Sequence, residues 1–357
     1  MKTTHKHKLP VSRIIGGLAL LVLAGCASVS PRHINTDRMD YGQVIADSWK
    51  RQTLMNVVRL RYADAPVFLD VSSIINSYTV GGEASALATV PSRIDPNVLE
   101  FGATGRWSNT PTVTYQPLLG DRFTKSLLQP IPPASVFQLL QGGWGVDLVF
   151  RTVVSSVNGL RNTSAGVAAD PGFIELTEAL SRIQRAGNIG IRVEARKEGG
   201  GVLAVIRRAE SGTELGEDSQ RVRKLLGLGE GVSEFEITYG LAPRNPNEVA
   251  MLTRSMMEIM LQLGFGIDLP AAHATGGRAL PGQRLPGDAQ AEPLVRIRSG
   301  TEPPADAYAA VPYRGYWYWI DDTDIASKRI FTFLMILFSL AETGQTTAAP
   351  VVTVPSR

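Results

Sequence analysis

The residues with the greatest capacity for chemistry lie together near the C-terminus, in Tyr313-Arg314-Gly315-Tyr316-Trp317-Tyr318-Trp319-Ile320-Asp321-Asp322-Thr323-Asp324. Aromatic faces can stack on sugar rings, and two carboxylates across a cleft supply the acid and the base or nucleophile of glycoside hydrolysis. Trp317, Trp319, Asp321 and Asp322 are therefore the candidate ligand-binding residues, and a cell-wall glycan is the ligand class they suit. Each also has a plainer reading. Aromatic residues favour strands, and the apolar helix that follows must pack on something, so both tryptophans are expected to be largely buried. Asp322 or Asp324 can accept backbone N–H bonds at the start of that helix, where negative charge is favoured. A calcium loop would need further oxygen ligands at regular spacing, and none follows.

Little else in the chain can do catalysis. Of four histidines, His5 and His7 fall in the first 25 residues, leaving His33 and His273 for any Ser-His-Asp arrangement. Cys26 is the only cysteine, so no disulfide can form within the chain, and no cluster has zinc-ligand spacing. Gly142-Gly143-Trp144-Gly145 and Gly264-Phe265-Gly266 lack the spacing and the preceding strand of a nucleotide-binding loop. They read better as punctuation after helices. The two segments are alike in character, and Val113-Thr114-Tyr115 echoes Ile237-Thr238-Tyr239, so an internal duplication is the competing explanation. No catalytic residue, cofactor or metal is assigned.

The N-terminus is more specific. Lys2, Lys6, Lys8 and Arg13 precede an apolar stretch from Ile14 to Leu23, and small residues follow. This is the layout of a secretory signal peptide, with an apolar run too short to span a bilayer. Leu23-Ala24-Gly25-Cys26 resembles the lipobox of bacterial lipoproteins. The resemblance implies that Cys26 is acylated and becomes the new N-terminus. Ala27 and Ser28 follow where an aspartate would favour inner-membrane retention, so it further implies an outer-membrane anchor facing the periplasm. Two or more acyl chains hold a protein stably where one is marginal.

Removing residues 1–25 takes away four basic and no acidic residues, so the formal charge of +3 becomes −1. Nucleic-acid binding thereby loses its electrostatic support. The remaining length of 332 residues is ample for a large core.

The elements that must position the candidate residues follow from periodicity. Residues 26–40 read as a polar tether and 41–62 as an amphipathic helix. Val67, Leu69, Val71, Ser73 and Ile75 alternate as a strand, Gly81-Gly82 reads as a turn, and further strands are expected at 83–90, 98–107 and 110–116, joined by Pro91-Ser92 and Ser108-Asn109. This is a four-stranded antiparallel meander; too few strands follow for the chain to form a membrane barrel. Helices are expected at 121–128, 134–142 and 146–158, then a boundary in the small polar segment Arg161–Gly172. The second region, 166–357, pairs helices at 173–186, 217–227, 246–263 and 324–341 with strands at 189–196, 202–208, 233–239, 293–299, 312–320 and 350–354. Glu198-Gly199-Gly200-Gly201 turns between the first two strands. A Pro/Gly-rich flexible insertion spans 269–292. The run Ile330–Ala341 is apolar nearly all round and too short for a bilayer, so it is a core or interface helix.

The fold class expected is α+β: an antiparallel meander with helices, followed by a mixed region. The function expected is a lipid-anchored, non-enzymatic envelope adaptor or assembly subunit. Its partners would be the membrane, through the N-terminal lipid, and another envelope protein, with no nucleic acid. The alternative is a carboxylate-based hydrolase or glycan-binding protein of the cell wall.

Overall fold

Proline at the first helical position is pre-organised for a helix and loses no hydrogen bond there. Pro31 opens helix α1, Pro31–Arg61, and no further proline or glycine interrupts it before Gly42. Residues 31–40, expected as a tether, are thus helical. The computed structural model of the protein describes residues 31–88, 99–187, 189–193, 202–206, 212–229, 234–282 and 292–342. Cys26, the Pro91-Ser92 and Glu198–Gly201 turns and the strand at 350–354 lie outside them. The chain divides into two compact units, residues 1–53 and 54–357. In the second, Leu54, Val57 and Val58 form the buried stripe of α1's last turns.

Two long strands follow, β1 (Leu69–Ala88) and β2 (Leu99–Pro117), paired antiparallel from Leu69↔Pro117 to Ala88↔Leu99. The meander expected here is one ribbon. Gly81-Gly82 continues β1 opposite Arg106 and Gly105, and Ser108-Asn109 continues β2. Both dipeptides favour turns, but the cross-strand register carries through them.

A run of helical segments comes next: α2 (Gly120–Phe123), a wider turn at Thr124–Leu128, α3 (Pro133–Gln141) and α4 (Val146–Val153). The helix expected to run to residue 158 stops at Val153. Val154–Val157 is strand β3, joined to β4 (Leu160–Arg161) through Asn158-Gly159, both at positive φ. Asn-Gly is the preferred pair for such a hairpin.

The remaining elements are α5 (Pro171–Arg185), β5 (Ile189–Val193), β6 (Val202–Ile206), α6 (Glu214–Leu226), β7 (Glu234–Tyr239), β8 (Glu248–Thr253), α7 (Met256–Gly264), α8 (Ala271–Thr275), β9 (Arg298–Gly300), β10 (Ala307–Tyr313), β11 (Tyr316–Asp321) and α9 (Ile325–Glu342). Side-chain caps set two helix starts: Thr213 accepts from Gly216 N–H and Ser255 from Glu258 N–H, both at 3.2 Å. Gly227, at φ +62°, closes α6.

Six strands form one mixed sheet in the order β4-β3-β8-β7-β6-β5, with only β7 and β8 parallel. Three more form an antiparallel sheet, β10-β11-β9. The α+β class expected from the sequence is the one observed. The expected helix at 246–263 is instead strand β8 followed by α7, because 248–253 is enclosed between β3 and β7 and buried almost throughout. The larger sheet joins strands from both sides of the expected boundary at 165/166. The intervening segment is docked by Asn162, whose amide donates to the carbonyls of Phe150, Arg151 and Val154 at 3.1, 3.1 and 2.6 Å. Val113–Tyr115 and Ile237–Tyr239, the echoed strand ends, lie in different sheets.

The core residues Phe137, Phe150, Leu176, Phe235, Ile237 and Met251 bring α3, α4 and α5 against the six-stranded sheet. Fully burying a side chain of this kind contributes about 1.5–3 kcal/mol. In α9, Phe331, Phe333, Leu334, Leu337 and Phe338 are buried, which makes it a core helix, with Phe333 against Trp144. Among the described residues no helix is long and apolar enough to cross a membrane.

Candidate functional site

The aromatic strand is one arm of a tight hairpin. Tyr313 pairs with Tyr316, leaving Arg314 and Gly315 as a two-residue turn with φ of +46° and +83°. Gly315 suits that backbone; Arg314 adopts it at a cost that its contacts offset. Its guanidinium pairs with Asp64 at 2.9 Å and lies 5.3 Å from the centre of the Tyr62 ring. Tyr313 Oη donates to the same Asp64 carboxylate, and these two donors hold Asp64 below the usual carboxylate range.

Behind the turn sits a buried polar chain that sequence spacing does not reveal. Tyr62 Oη lies 2.7 Å from His273 Nδ1 and 2.6 Å from Tyr318 Oη. Tyr316 packs edge-on to His273, with ring centres 4.9 Å apart. Tyr62, His273 and Tyr318 are all buried. Burial pushes both phenols up, so neither is a ready base at neutral pH. Burial lowers His273, with help from the positive charges of Arg278 and Arg314, so the imidazole is held neutral. Arg61, also lowered by burial, stacks 4.5 Å from the centre of the Phe265 ring. This cluster pins α8 and the hairpin to the end of α1, a packing role.

It also overturns part of the expected flexible insertion. Residues 271–275 are helix α8, His273 is buried, and Leu280 N–H donates to the Arg61 carbonyl at 2.8 Å. The Pro/Gly composition misleads because one histidine and one backbone bond anchor it. Residues 283–291 lie outside the described residues.

The residues singled out for glycan chemistry are engaged differently. Tyr318 and Ile320 take the fully buried face of β11, while Trp317 and Trp319, on the other face, are not wholly enclosed but are largely covered, in keeping with the burial expected for them. Trp319 lies over β9, where a methyl group added at Gly300 would come within 3.1 Å of its ring. Asp321 accepts from Thr323 N–H at 3.0 Å and Thr323 Oγ1 at 2.7 Å. Asp322 pairs with Lys328 at 2.7 Å. Asp324 caps α9, accepting from Ser327 N–H at 3.0 Å and Ser327 Oγ at 2.7 Å. Among the described residues, no group of three or more His, Cys, Asp or Glu could hold a metal ion.

A large cleft lies elsewhere, about 900 Å³ in volume, between α4, α5 and the loop at 162–169. Asp147 and Arg151 of α4 line it, with Glu178, Arg182 and Arg185 of α5. Arg182 is fixed by a two-pronged contact to Asp218 of α6, both bonds 2.8 Å. Behind its wall, Arg254 is buried and donates to the Arg151 and Thr152 carbonyls at 2.9 and 3.1 Å and to the Thr163 carbonyl. Burial lowers its pKa to about 10, leaving it charged at neutral pH. A cleft of this size accommodates a small ligand or a short peptide segment, and its mixed charge favours a polar one. Neither Trp317, Trp319, Asp321 nor Asp322 lines it. Sequence reading missed this cleft because its charges are spaced like any solvated helix face.

Comparison with protein-family models, with curated proteins and with solved structures returns no match to this chain.

Proposed function

We propose that the protein is a periplasm-facing lipoprotein of the outer membrane, acting as a non-enzymatic adaptor or assembly subunit that binds another envelope protein. The N-terminal tripartite signal, the lipobox and the sole cysteine, Cys26, support the location. The observation that carries the adaptor reading is the state of the rival site. Asp321, Asp322 and Asp324 are taken up by Thr323, Lys328 and Ser327, while a large cleft lies on α4 and α5, with both signs of charge. Such a surface suits a polar peptide segment of a partner better than it suits a stacked sugar ring.

A photo-crosslinking residue placed at Ala169, in the cleft, tests this in living cells against the same residue placed at Ala186, which is exposed and outside it. The adaptor reading expects one defined protein partner joined at 169 and not at 186, with the adduct lost in Arg185→Glu. Turnover of purified cell-wall fragments by the mature protein, abolished by Asp321→Asn or Asp322→Asn, would replace it with the hydrolase reading.

A further inference from the structure

The β1–β2 ribbon is amphipathic in a way that its two strands, read separately, conceal. In antiparallel pairs, residues directly opposite share a face, and every second residue returns to it. Phe101 stands opposite Ala86, Ala103 opposite Ala84, Trp107 opposite Val80, Val113 opposite Ile74 and Tyr115 opposite Val71. All of these belong to one face. The bulge between Val71 and Ser73 makes this so, because it shifts β1 by one residue and brings Ile74 to the side of Val71. Thr104, Thr110 and Thr112 belong to the other face, with Ser77, Thr79 and Ser85.

The ribbon's charges follow the same division. Its strands hold four charged residues, Asp70, Glu83, Glu100 and Arg106, and all four fall on the second face. On the first face only Asn76 and Asn109 carry amide side chains; on the second, Ile75 and Leu87 are the large apolar exceptions. Apolar residues alternating with polar ones along each strand are the signature of a transmembrane β-barrel, whose outer face meets lipid and whose inner face meets water. Length suffices: a tilted membrane strand needs roughly 9–11 residues, and β1 and β2, with 20 and 19, exceed this and would extend beyond the bilayer. Among the described residues the ribbon forms its own two-stranded sheet, joined by no third strand. A lone ribbon of this kind is marginal in water and needs neighbours.

The strand count that argues against a barrel applies to one chain, not to several. We infer that copies of this chain each contribute the β1–β2 ribbon, edge to edge, to one β-barrel in the bilayer, with the Phe101/Trp107 face toward lipid and the threonine-rich face toward the lumen. Eight strands enclose only their own side chains, so the water-filled lumen proposed here takes about sixteen strands, or about eight copies. Strand pairing between copies would satisfy the ribbon's outer edges, and Pro111 withdraws one donor from β2. The inference goes beyond the adaptor reading and does not depend on it, since it uses only the ribbon's register.

The test uses the full chain purified from its native envelope and reconstituted into phosphatidylethanolamine/phosphatidylglycerol vesicles. Single cysteines at 101, 103 and 107, and at 104, 106 and 108, carry an environment-sensitive fluorophore. The expected result is a blue shift and quenching by nitroxide-labelled lipid at 101, 103 and 107, with neither at 104, 106 and 108. Equal response at both sets, or no lipid quenching at any, overturns the inference; a blue shift without lipid quenching does so by assigning the face to a protein partner. Conductance across planar bilayers reads closure of the barrel separately from tethering through Cys26. It should be present for the natural chain, lost in Ala103→Asp and retained in Thr104→Asp. A natural chain that binds vesicles but never conducts would contradict the barrel and leave the anchor untouched.

Discussion

Tyr62 Oη lies 2.7 Å from Nδ1 of His273, a residue 211 positions further along the chain. The contact joins the end of α1 to α8, and through Tyr318 it reaches the hairpin β10–β11. It converts a Pro/Gly-rich stretch into a docked element, and its consequences for stability are measurable.

Tyr62→Phe removes the shared hydroxyl and strands two buried partners, His273 Nδ1 and Tyr318 Oη. An unsatisfied buried polar group costs about 1–3 kcal/mol. The variant should unfold at lower urea concentration, and adding Tyr318→Phe should cost less than it does in the natural background. Strictly additive losses would mean that the chain of hydroxyls is not one network.

His273 sets a pH dependence. Its folded pKa lies below the ordinary value of 6.5, because burial disfavours the imidazolium. As pH falls through 6.5 the unfolded chain takes up a proton that the folded one resists, so stability is present above that value and declines below it. Urea midpoints between pH 7.5 and 5 should fall more steeply for the natural protein than for His273→Gln. Parallel curves would remove His273 from the account.

Arg254 should tolerate no replacement. Its guanidinium serves three carbonyls from within the core, with Glu258 4.0 Å from its Nε. Arg254→Met leaves the carbonyls without donors, at about 3 kcal/mol or more. Arg254→Lys, a single point donor in place of a planar fork, should recover little of this. Full recovery by lysine in thermal unfolding would show that charge, not fork geometry, is what the site needs.

Two glycines separate packing from backbone freedom. At Gly266 an added methyl group would fall 1.9 Å from the Val295 carbonyl oxygen, so Gly266→Ala must displace backbone. At Gly143 there is open space, and the φ of +92° is the sole obstacle. Gly143→Ala should cost about 1–2 kcal/mol, and Gly266→Ala should cost more. The reverse order in unfolding experiments would contradict the close approach of Gly266 to Val295.

How much of this the sequence reveals depends on the range of the forces involved. α3, α5, α6 and α9 were legible because their apolar spacing and their cap, proline and glycine signals lie within one segment. β8 was not: Val249, Ala250 and Met251 are buried as a central strand, and such a strand reads as a continuous apolar run that a helix would also show. The ribbon reads locally as a meander because Gly81-Gly82 is a turn by local preference and a strand only by virtue of its partners, Arg106 and Gly105. Of the candidate site, the capping role of Asp324 was legible from its position before α9. The Tyr62–His273–Tyr318 chain was not, since nothing local links residues so far apart. Tyr318, adjacent to the two tryptophans, is the fully buried aromatic of its strand.

The claim on which the account turns is that Cys26 carries lipid and begins the mature chain. Mass spectrometry of the tryptic N-terminal peptide, Cys26–Arg32, from protein purified from the cells that make it tests it most directly. The account predicts that this peptide starts at Cys26 and bears two or more acyl chains, and that replacing residues 1–26 with a conventional cleavable export signal removes them. A mature chain that begins elsewhere, or a Cys26 recovered with a free thiol, would contradict it.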